Sequence, residues 1–145
     1  MGRDKYSVID SPYHLGKPDI AWQNGVPVSR EFDDVYYSRT NGREETRHVF
    51  LAGNHLPERW KSCQRFTIAE TGFGAGLNFL ETWCQWEATA FANAQLTYIS
   101  AEQNPLSAAQ LQTALAVWNF PQEKLHALLN ALPPAIPGMH RLCFD

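Results

Sequence analysis

Glu70-Thr71-Gly72-Phe73-Gly74-Ala75-Gly76 is the stretch of sequence that decides the fold. It follows the short apolar run of residues 66–70, whose composition is typical of a buried strand. It precedes residues 77–86, in which apolar side chains recur at helical spacing, and a second strand is predicted at residues 96–101. The order strand, glycine turn, helix and strand predicts the start of a parallel sheet of the α/β class.

Glycines spaced in this way make a turn that lets the backbone approach a ligand where a Cβ would clash. The helix that follows points its N-terminal amides into the same space. A dinucleotide fingerprint would need a third small residue at position 77, where this chain has Leu77. Glu70 would repel a pyrophosphate but suits the ammonium group of an amino acid, and Glu102, after the second strand, can accept hydrogen bonds from ribose hydroxyls. The pattern therefore favours S-adenosylmethionine over NAD or FAD.

Composition narrows the class of protein further. The chain has 145 residues, 44% of them hydrophobic, which fits one soluble globular domain. Its formal net charge of −3 gives no overall basic character, so nucleic acid would have to be held by a local patch. The sequence contains no apolar run of bilayer length. Three cysteines and five histidines are dispersed, which predicts neither a disulfide scaffold nor a metal site and favours a reducing cytoplasm.

The sequence before the glycine turn is interpreted as an extension, residues 1–64, of a cofactor domain at residues 65–145. Residues 1–20 are predicted to form an extended arm. Asn24-Gly25 between alternating apolar residues predicts a β-hairpin, in which Pro27 indicates an edge strand. A short helix is predicted at residues 44–51, ending near residues 53–54, with Phe50 and Leu51 facing the core.

After the second strand, Pro105 suits the first turn of a helix that continues to Trp118. A further helix is predicted at residues 123–132, and a third parallel strand is predicted to begin at residues 141–144. Because so few parallel strands cannot bury both faces of a sheet, we expect the domain to be incomplete within this sequence.

Several stretches, taken in order from about residue 19 to residue 145, resemble the methyltransferase domain of MnmC. They are residues 29–38, Asn41-Gly42, residues 44–51, 70–79 and 99–102, Pro105-Leu106, and residues 137–142. The resemblance implies the N-terminal portion of a class I, Rossmann-like S-adenosyl-L-methionine-dependent methyltransferase fold, preceded by a β-hairpin extension. It also implies methyl transfer to the aminomethyl nitrogen of a wobble 5-aminomethyl-2-thiouridine, with tRNA as partner. In many members an FAD-dependent oxidase domain follows, so a fused or partner oxidase is implied outside this sequence.

Transferred to this chain, the resemblance makes the glycine turn the methionine-side loop and Glu102 the ribose ligand. The candidate cofactor-binding residues are Glu70, Gly72, Phe73, Gly74, Gly76, Asn78, Glu102 and Gln103. The family's Asp-Gly-Phe-x-Pro segment, which supplies an acidic residue beside the acceptor amine, has no counterpart here. The resemblance therefore implies that no catalytic residue lies in this chain.

Three further groups of residues leave alternatives open. The acceptor pocket could be lined by Asp33, Asp34, Tyr36 and Tyr37, or these aspartates could cap turns while the tyrosines pack. Phosphate could be bound by Arg30, Arg39, Arg43 and Arg47, or these side chains could form a mixed-charge surface with the acidic residues between them. Cys84 is interpreted as a core residue. A nucleotide-binding oxidoreductase fragment and a truncated, non-catalytic binding domain remain the alternative functions.

Overall fold

A computed structural model describes residues 15–38 and 40–144. The predicted hairpin is confirmed, with β1 at Ile20–Gln23 and β2 at Val26–Ser29 in antiparallel register. Asn24 and Gly25 connect them with φ angles of 54° and 80°, the positive values that a two-residue hairpin turn requires. The first fourteen residues of the predicted arm lie outside the described part of the chain.

The prediction that Pro27 marks an edge strand is wrong. A third strand, β3 at Asp34–Val35, pairs with β2, so that β2 is central in the order β1-β2-β3. Pro27 lies opposite Trp22, and its carbonyl accepts a hydrogen bond from the amide of Tyr36. Proline has no backbone N–H, so Pro27 cannot donate a hydrogen bond back to Tyr36. A central proline is tolerated here because β2 and β3 pair over a short stretch only.

The predicted helix of the extension is confirmed, but it starts earlier and changes geometry along its length. It comprises α1 at Gly42–Glu45, a π-helical segment at Thr46–Leu51 and a 3₁₀ turn at Ala52–Asn54, and we call residues 42–54 the composite helix. A Cβ at Gly42 would lie 2.7 Å from the Trp118 ring, so this close approach requires glycine. Leu51 is buried and Phe50 packs beside it, as predicted.

The central prediction, a strand-helix-strand unit around the glycine turn, is confirmed. β4 at Arg65–Thr71 and β5 at Gln95–Ala101 form a parallel pair, and α2 at Leu77–Thr89 connects them. Along both strands, burial alternates from one residue to the next, because successive side chains point to opposite faces. The more buried face carries Glu70 and its register partner Ser100, which therefore project from the same side of the sheet.

Two predictions for the last third of the chain need correction. Helix α3 at Ala108–Leu115 begins after Ser107, whose hydroxyl and the Gln110 side chain form a capping box, so Pro105 lies before the helix rather than in its first turn. The helix also ends at Leu115, three residues before the predicted end at Trp118. Helix α4 at Gln122–Ala131 is confirmed. No strand forms at residues 141–144. Phe144 instead packs its ring 4.9 Å from that of Trp83, and no strand of the described residues pairs with this segment.

Packing joins the extension to the rest of the chain through two apolar clusters. One cluster contains Val26 and Tyr37 beside buried residues of α2, α3 and α4. The other contains the fully buried Trp60 beside Ile68 of β4 and Trp86 of α2. The extension therefore packs on the strand-helix-strand unit through apolar surface, and the domain division after residue 64 remains a prediction.

Candidate functional site

The turn between β4 and α2 has a backbone that its glycines make possible. Gly72, Gly74 and Gly76 adopt φ angles of 84°, 54° and 73°, a region that costs little only for glycine. A Cβ at Gly76 would also lie 2.9 Å from the ring of Phe73. Apart from Gly72 and its two chain neighbours, no described residue has an atom within 4 Å of the Cβ position at Gly72. The turn is therefore open on one side, as a ligand-binding turn has to be.

Glu70 is the second-last residue of β4, and two neutral side chains donate hydrogen bonds to its carboxylate. Ser100 Oγ donates to Oε1 at 2.9 Å, and Asn78 Nδ2 donates to Oε2 at 3.2 Å. Burial raises the pKa of Glu70. The hydrogen bonds oppose this shift, while the negative charge of Glu102 adds to it. An incoming ammonium group would relieve both unfavourable effects by supplying a positive charge.

The Glu70 carboxylate borders an open cavity of about 430 Å³. The cavity is lined by Phe50, Ala69, Glu70, Thr71 and Asn78. Phe50 comes from the composite helix, so the extension supplies one wall. The cavity thus combines one partly buried carboxylate and one amide with an aromatic ring, which suits a ligand with both a cationic and an apolar part.

Glu102 directly follows β5, and its carboxylate lies against the glycine turn. Its Oε2 accepts a hydrogen bond from the Gly74 amide at 2.8 Å, and its Oε1 accepts one from the Asn104 amide at 2.7 Å. Each carboxylate oxygen retains a lone pair that can accept a hydroxyl donor. Two carboxylates at one turn suit an amino acid and a diol better than a pyrophosphate. The residues present therefore fit S-adenosylmethionine.

Of the eight candidate cofactor residues, Glu70 and Asn78 line this cavity, whereas Glu102, Phe73, Gln103 and the three glycines do not. The Phe73 ring packs 6.1 Å from that of Phe79, on the side of the core. Gln103 is exposed. The backbone carbonyl of Gln103 accepts a hydrogen bond from the Gly16 amide at 2.9 Å. Their assignment to the cofactor stays a prediction.

The four candidate substrate residues separate into different environments. Asp33 and Asp34 are exposed, and Asp34 accepts a hydrogen bond from the next backbone amide at 2.8 Å. Tyr37 is buried and donates its hydroxyl to the Ala114 carbonyl at 2.5 Å, a packing role. Tyr36 lies 3.5 Å from the Cβ position at Gly74, and burial followed by the charge of Glu102 raises its pKa. Tyr36 is thus the candidate that the structure brings to the turn.

The arginines of the extension enter a buried ion cluster. Arg43 Nε lies 2.9 Å and Arg47 Nε lies 2.5 Å from the carboxylate of Glu81, whose side chain is fully buried. The Arg30 guanidinium lies 3.6 Å from the carboxylate of exposed Asp19. Arg39 lies outside the described residues. This arrangement resembles the mixed-charge alternative more than a free basic patch.

Other classes of site can be described briefly. Within residues 15–38 and 40–144, no three His, Cys, Asp or Glu side chains lie close enough to hold a metal ion. Over the same two ranges, no helix is both long and apolar enough to cross a membrane. Cys84 is partly buried against the core, and burial raises its pKa.

Sequence reasoning missed three residues of this site: Thr46, Phe50 as a cavity wall, and Ser100. Thr46 donates to Asn78, and Ser100 donates to Glu70. For Ser100 a signal existed, since strand alternation puts a polar residue on the same face as Leu96 and Tyr98. Nothing in the sequence indicated Thr46.

Comparisons with known proteins include a solved structure and a set of relatives by sequence. The crystal structure of MnmC2 from Aquifex aeolicus superposes with a TM-score of 0.57 at 22% identity, over 84% of this chain and 39% of that one. This likeness establishes a shared mixed α/β fold. No family model matches the chain.

The relatives by sequence carry the name tRNA 5-methylaminomethyl-2-thiouridine biosynthesis bifunctional protein MnmC. The protein of Methylobacillus flagellatus is 50% identical over 90% of this chain, and that of Marinobacter nauticus is 47% identical over 90%. The protein of Chromobacterium violaceum is 48% identical over 84%. The chain spans only about a fifth of the length of each relative: 20% of the first, 22% of the second and 19% of the third. This chain is therefore a homologue of one part of the bifunctional MnmC proteins.

Proposed function

We propose that this chain supplies the S-adenosylmethionine-binding part of a tRNA methyltransferase. The proposed reaction methylates the aminomethyl nitrogen of wobble 5-aminomethyl-2-thiouridine to give 5-methylaminomethyl-2-thiouridine. The observation that carries the proposal is the pair of carboxylates at the glycine turn, with Glu70 beside the cavity and Glu102 on the Gly74 amide. The names of the relatives support the tRNA nucleotide as the product. We also propose that the fold is an incomplete class I, Rossmann-like one, with the extension ending near residue 64.

Each residue of the turn has a distinct part in this proposal. When bound, S-adenosylmethionine supplies an electrophilic methyl group. Glu70 pairs with the ammonium of its methionine part, and Glu102 accepts hydrogen bonds from the ribose hydroxyls. The open backbone at Gly72 would leave space for a bound ligand beside the turn. The protein thereby aligns the methyl donor, and alignment is the main requirement of an in-line displacement.

The remaining assignments are also proposals. The macromolecular partner is tRNA, and Tyr36 beside the turn is the candidate contact for the acceptor base. An FAD-dependent oxidase activity, fused or in a partner, would supply the aminomethyl precursor, in keeping with the word bifunctional in the names of the relatives. The proposed compartment is the cytoplasm, where the tRNA substrate occurs.

Calorimetric titration with S-adenosylhomocysteine and, separately, with NADH tests the cofactor. We expect S-adenosylhomocysteine to bind and NADH not to bind. Glu70→Gln and Glu102→Gln should each weaken binding by about tenfold, the typical effect of losing one charge-assisted contact. Glu123→Gln, an exposed carboxylate on α4, is the matched control and should leave affinity unchanged. A folded protein that binds NADH instead, or neither ligand, overturns the proposal.

Nucleoside mass spectrometry of tRNA tests the acceptor. In the source organism, disruption of the gene should cause 5-aminomethyl-2-thiouridine to accumulate and its N-methyl derivative to disappear. Re-expression of the intact gene should restore the methylated nucleoside. An unchanged nucleoside profile would overturn the acceptor assignment while leaving the cofactor assignment standing.

A further inference from the structure

A chain of hydrogen bonds joins the composite helix to the carboxylate of Glu70. Thr46, which is only 6% exposed, donates from Oγ1 to Oδ1 of Asn78 at 3.1 Å. Asn78 in turn donates from Nδ2 to Oε2 of Glu70 at 3.2 Å. The chain crosses three elements, since Thr46 lies in the π-helical segment, Asn78 in the first turn of α2 and Glu70 in β4.

The orientation of the Asn78 amide decides whether this chain can support a charged Glu70. An ionised carboxylate only accepts hydrogen bonds, so it requires the NH₂ end of the amide. The oxygen end must then find a donor elsewhere, and the Thr46 hydroxyl provides it. With the amide reversed, its oxygen would face the carboxylate oxygen, and the two would repel each other. When Glu70 is charged, only the observed orientation satisfies both bonds.

Glu70 needs such support because its surroundings oppose its charge. Two titratable groups face it, Tyr98 on β5 and Glu102 after that strand. Burial raises the pKa of Glu70 and Glu102 raises it further, whereas Asn78, Ser100 and the nearby Tyr98 hydroxyl lower it. The Tyr98 hydroxyl is buried close by, but within the described residues no group makes a hydrogen bond of normal geometry with it. The charge of Glu70 therefore depends on a few neutral donors.

We infer that Thr46 is a positioning residue that fixes the Asn78 amide and so presents the Glu70 carboxylate to the amino group of the methyl donor. The inference rests on the proposed function for the identity of the ligand. Through Thr46, the extension takes part in recognising the amino-acid half of the ligand, although it is remote in sequence from the glycine turn. Removing the hydroxyl should affect ligands that carry the amino group and spare ligands that lack it.

The first test needs no ligand. The pKa of Glu70 is measured by ¹³C NMR titration of the side-chain carboxyl in the wild type and in Thr46→Val, which is nearly isosteric and lacks only the hydroxyl. We expect the variant to raise the pKa of Glu70 by about one pH unit, the typical effect of one hydrogen bond on a carboxylate. Thr46→Ser should restore the wild-type value. An unchanged pKa in the folded valine variant overturns the inference.

The second test measures selectivity by calorimetry, with S-adenosylhomocysteine compared with 5′-methylthioadenosine, which keeps the nucleoside and lacks the amino acid. Thr46→Val should weaken binding of the first ligand about fivefold to tenfold and change that of the second less than twofold. The control is Thr113→Val, which removes an exposed hydroxyl on α3. An equal loss for both ligands would indicate a merely structural role and overturn the inference. If the wild type binds neither ligand, the proposed function fails, and the Glu70 titration still decides whether Thr46 supports the carboxylate.

Discussion

Two glutamates of this chain are largely removed from water, but one has cationic partners and the other has neutral ones. Glu81, on α2, is fully buried between the guanidinium groups of Arg43 and Arg47. Glu70, near the end of β4, accepts hydrogen bonds from the neutral side chains of Asn78 and Ser100 and borders a cavity. Burial acts to raise the pKa of Glu81, but hydrogen bonds from the arginines outweigh it and the pKa is lowered, whereas the pKa of Glu70 is raised.

The difference separates a carboxylate that holds the fold together from one that is available to a ligand. The charge of Glu81 is already neutralised by Arg43 and Arg47, so this carboxylate is not available to bind a cationic ligand. The charge of Glu70 is supported but not balanced, which is how a site for a cation is arranged before the cation arrives. The predictions that follow test this contrast.

The largest effect is expected for Glu81→Ala. Removing this carboxylate leaves two arginines, one of them with only 21% of its side chain exposed, without their shared partner. We expect the free energy of unfolding to fall by about 3 kcal/mol, the lower end of the range for breaking a buried ion pair. Urea denaturation measures the loss. A loss below about 1 kcal/mol would show that the cluster contributes little to the fold.

A smaller effect of opposite sign is expected for Glu70→Gln in the absence of ligand. Replacing a buried, unbalanced carboxylate by a neutral amide removes the desolvation cost of the charge. We expect the free energy of unfolding at neutral pH to stay the same or rise by up to about 1 kcal/mol, while ligand affinity falls. Substantial destabilisation of the folded protein would mean that Glu70 is structural in the same sense as Glu81.

Dependence on pH should distinguish the two carboxylates as well. The pKa of Glu81 is lowered on folding, so its stabilisation is present above the unfolded value of about 4.3 and is lost as the pH falls through the folded value. The pKa of Glu70 is raised, so its contribution is most favourable below about 4.3 and is lost as the pH rises through the folded value. Urea denaturation of the wild type, Glu81→Gln and Glu70→Gln between about pH 2.5 and 7 should give opposite trends when each variant is compared with the wild type, with the Glu81 change below about pH 4.3 and the Glu70 change above it. Parallel trends would contradict the contrast.

The sequence predicted Glu70 and its glycine turn but not the ion cluster around Glu81, and the reason is physical. The glycine turn, the flanking strands and Glu70 follow from local patterns, namely positive-φ glycines and strand periodicity. The partners of Glu81 are 34 and 38 residues away along the chain. Contacts of that kind depend on how the composite helix packs on α2, which no local pattern encodes. The helix at Pro105 was placed too early because the capping box at Ser107 was not recognised.

The smallest effect is expected for a third glutamate, Glu87 on α2, which is about half exposed and pairs with the ammonium of Lys124. Glu87→Gln should lower the free energy of unfolding by about 0.5 kcal/mol, the typical size for a pair with one partner in solvent. Part of the stabilisation of Lys124 survives, because its Nζ lies 4.4 Å from the centre of the Trp83 ring. Urea denaturation at low and at high salt provides the measurement, and the small loss should shrink further in high salt. A loss as large as that of Glu81→Ala would show that solvent exposure does not separate these carboxylates, and the contrast between Glu70 and Glu81 would then need another explanation.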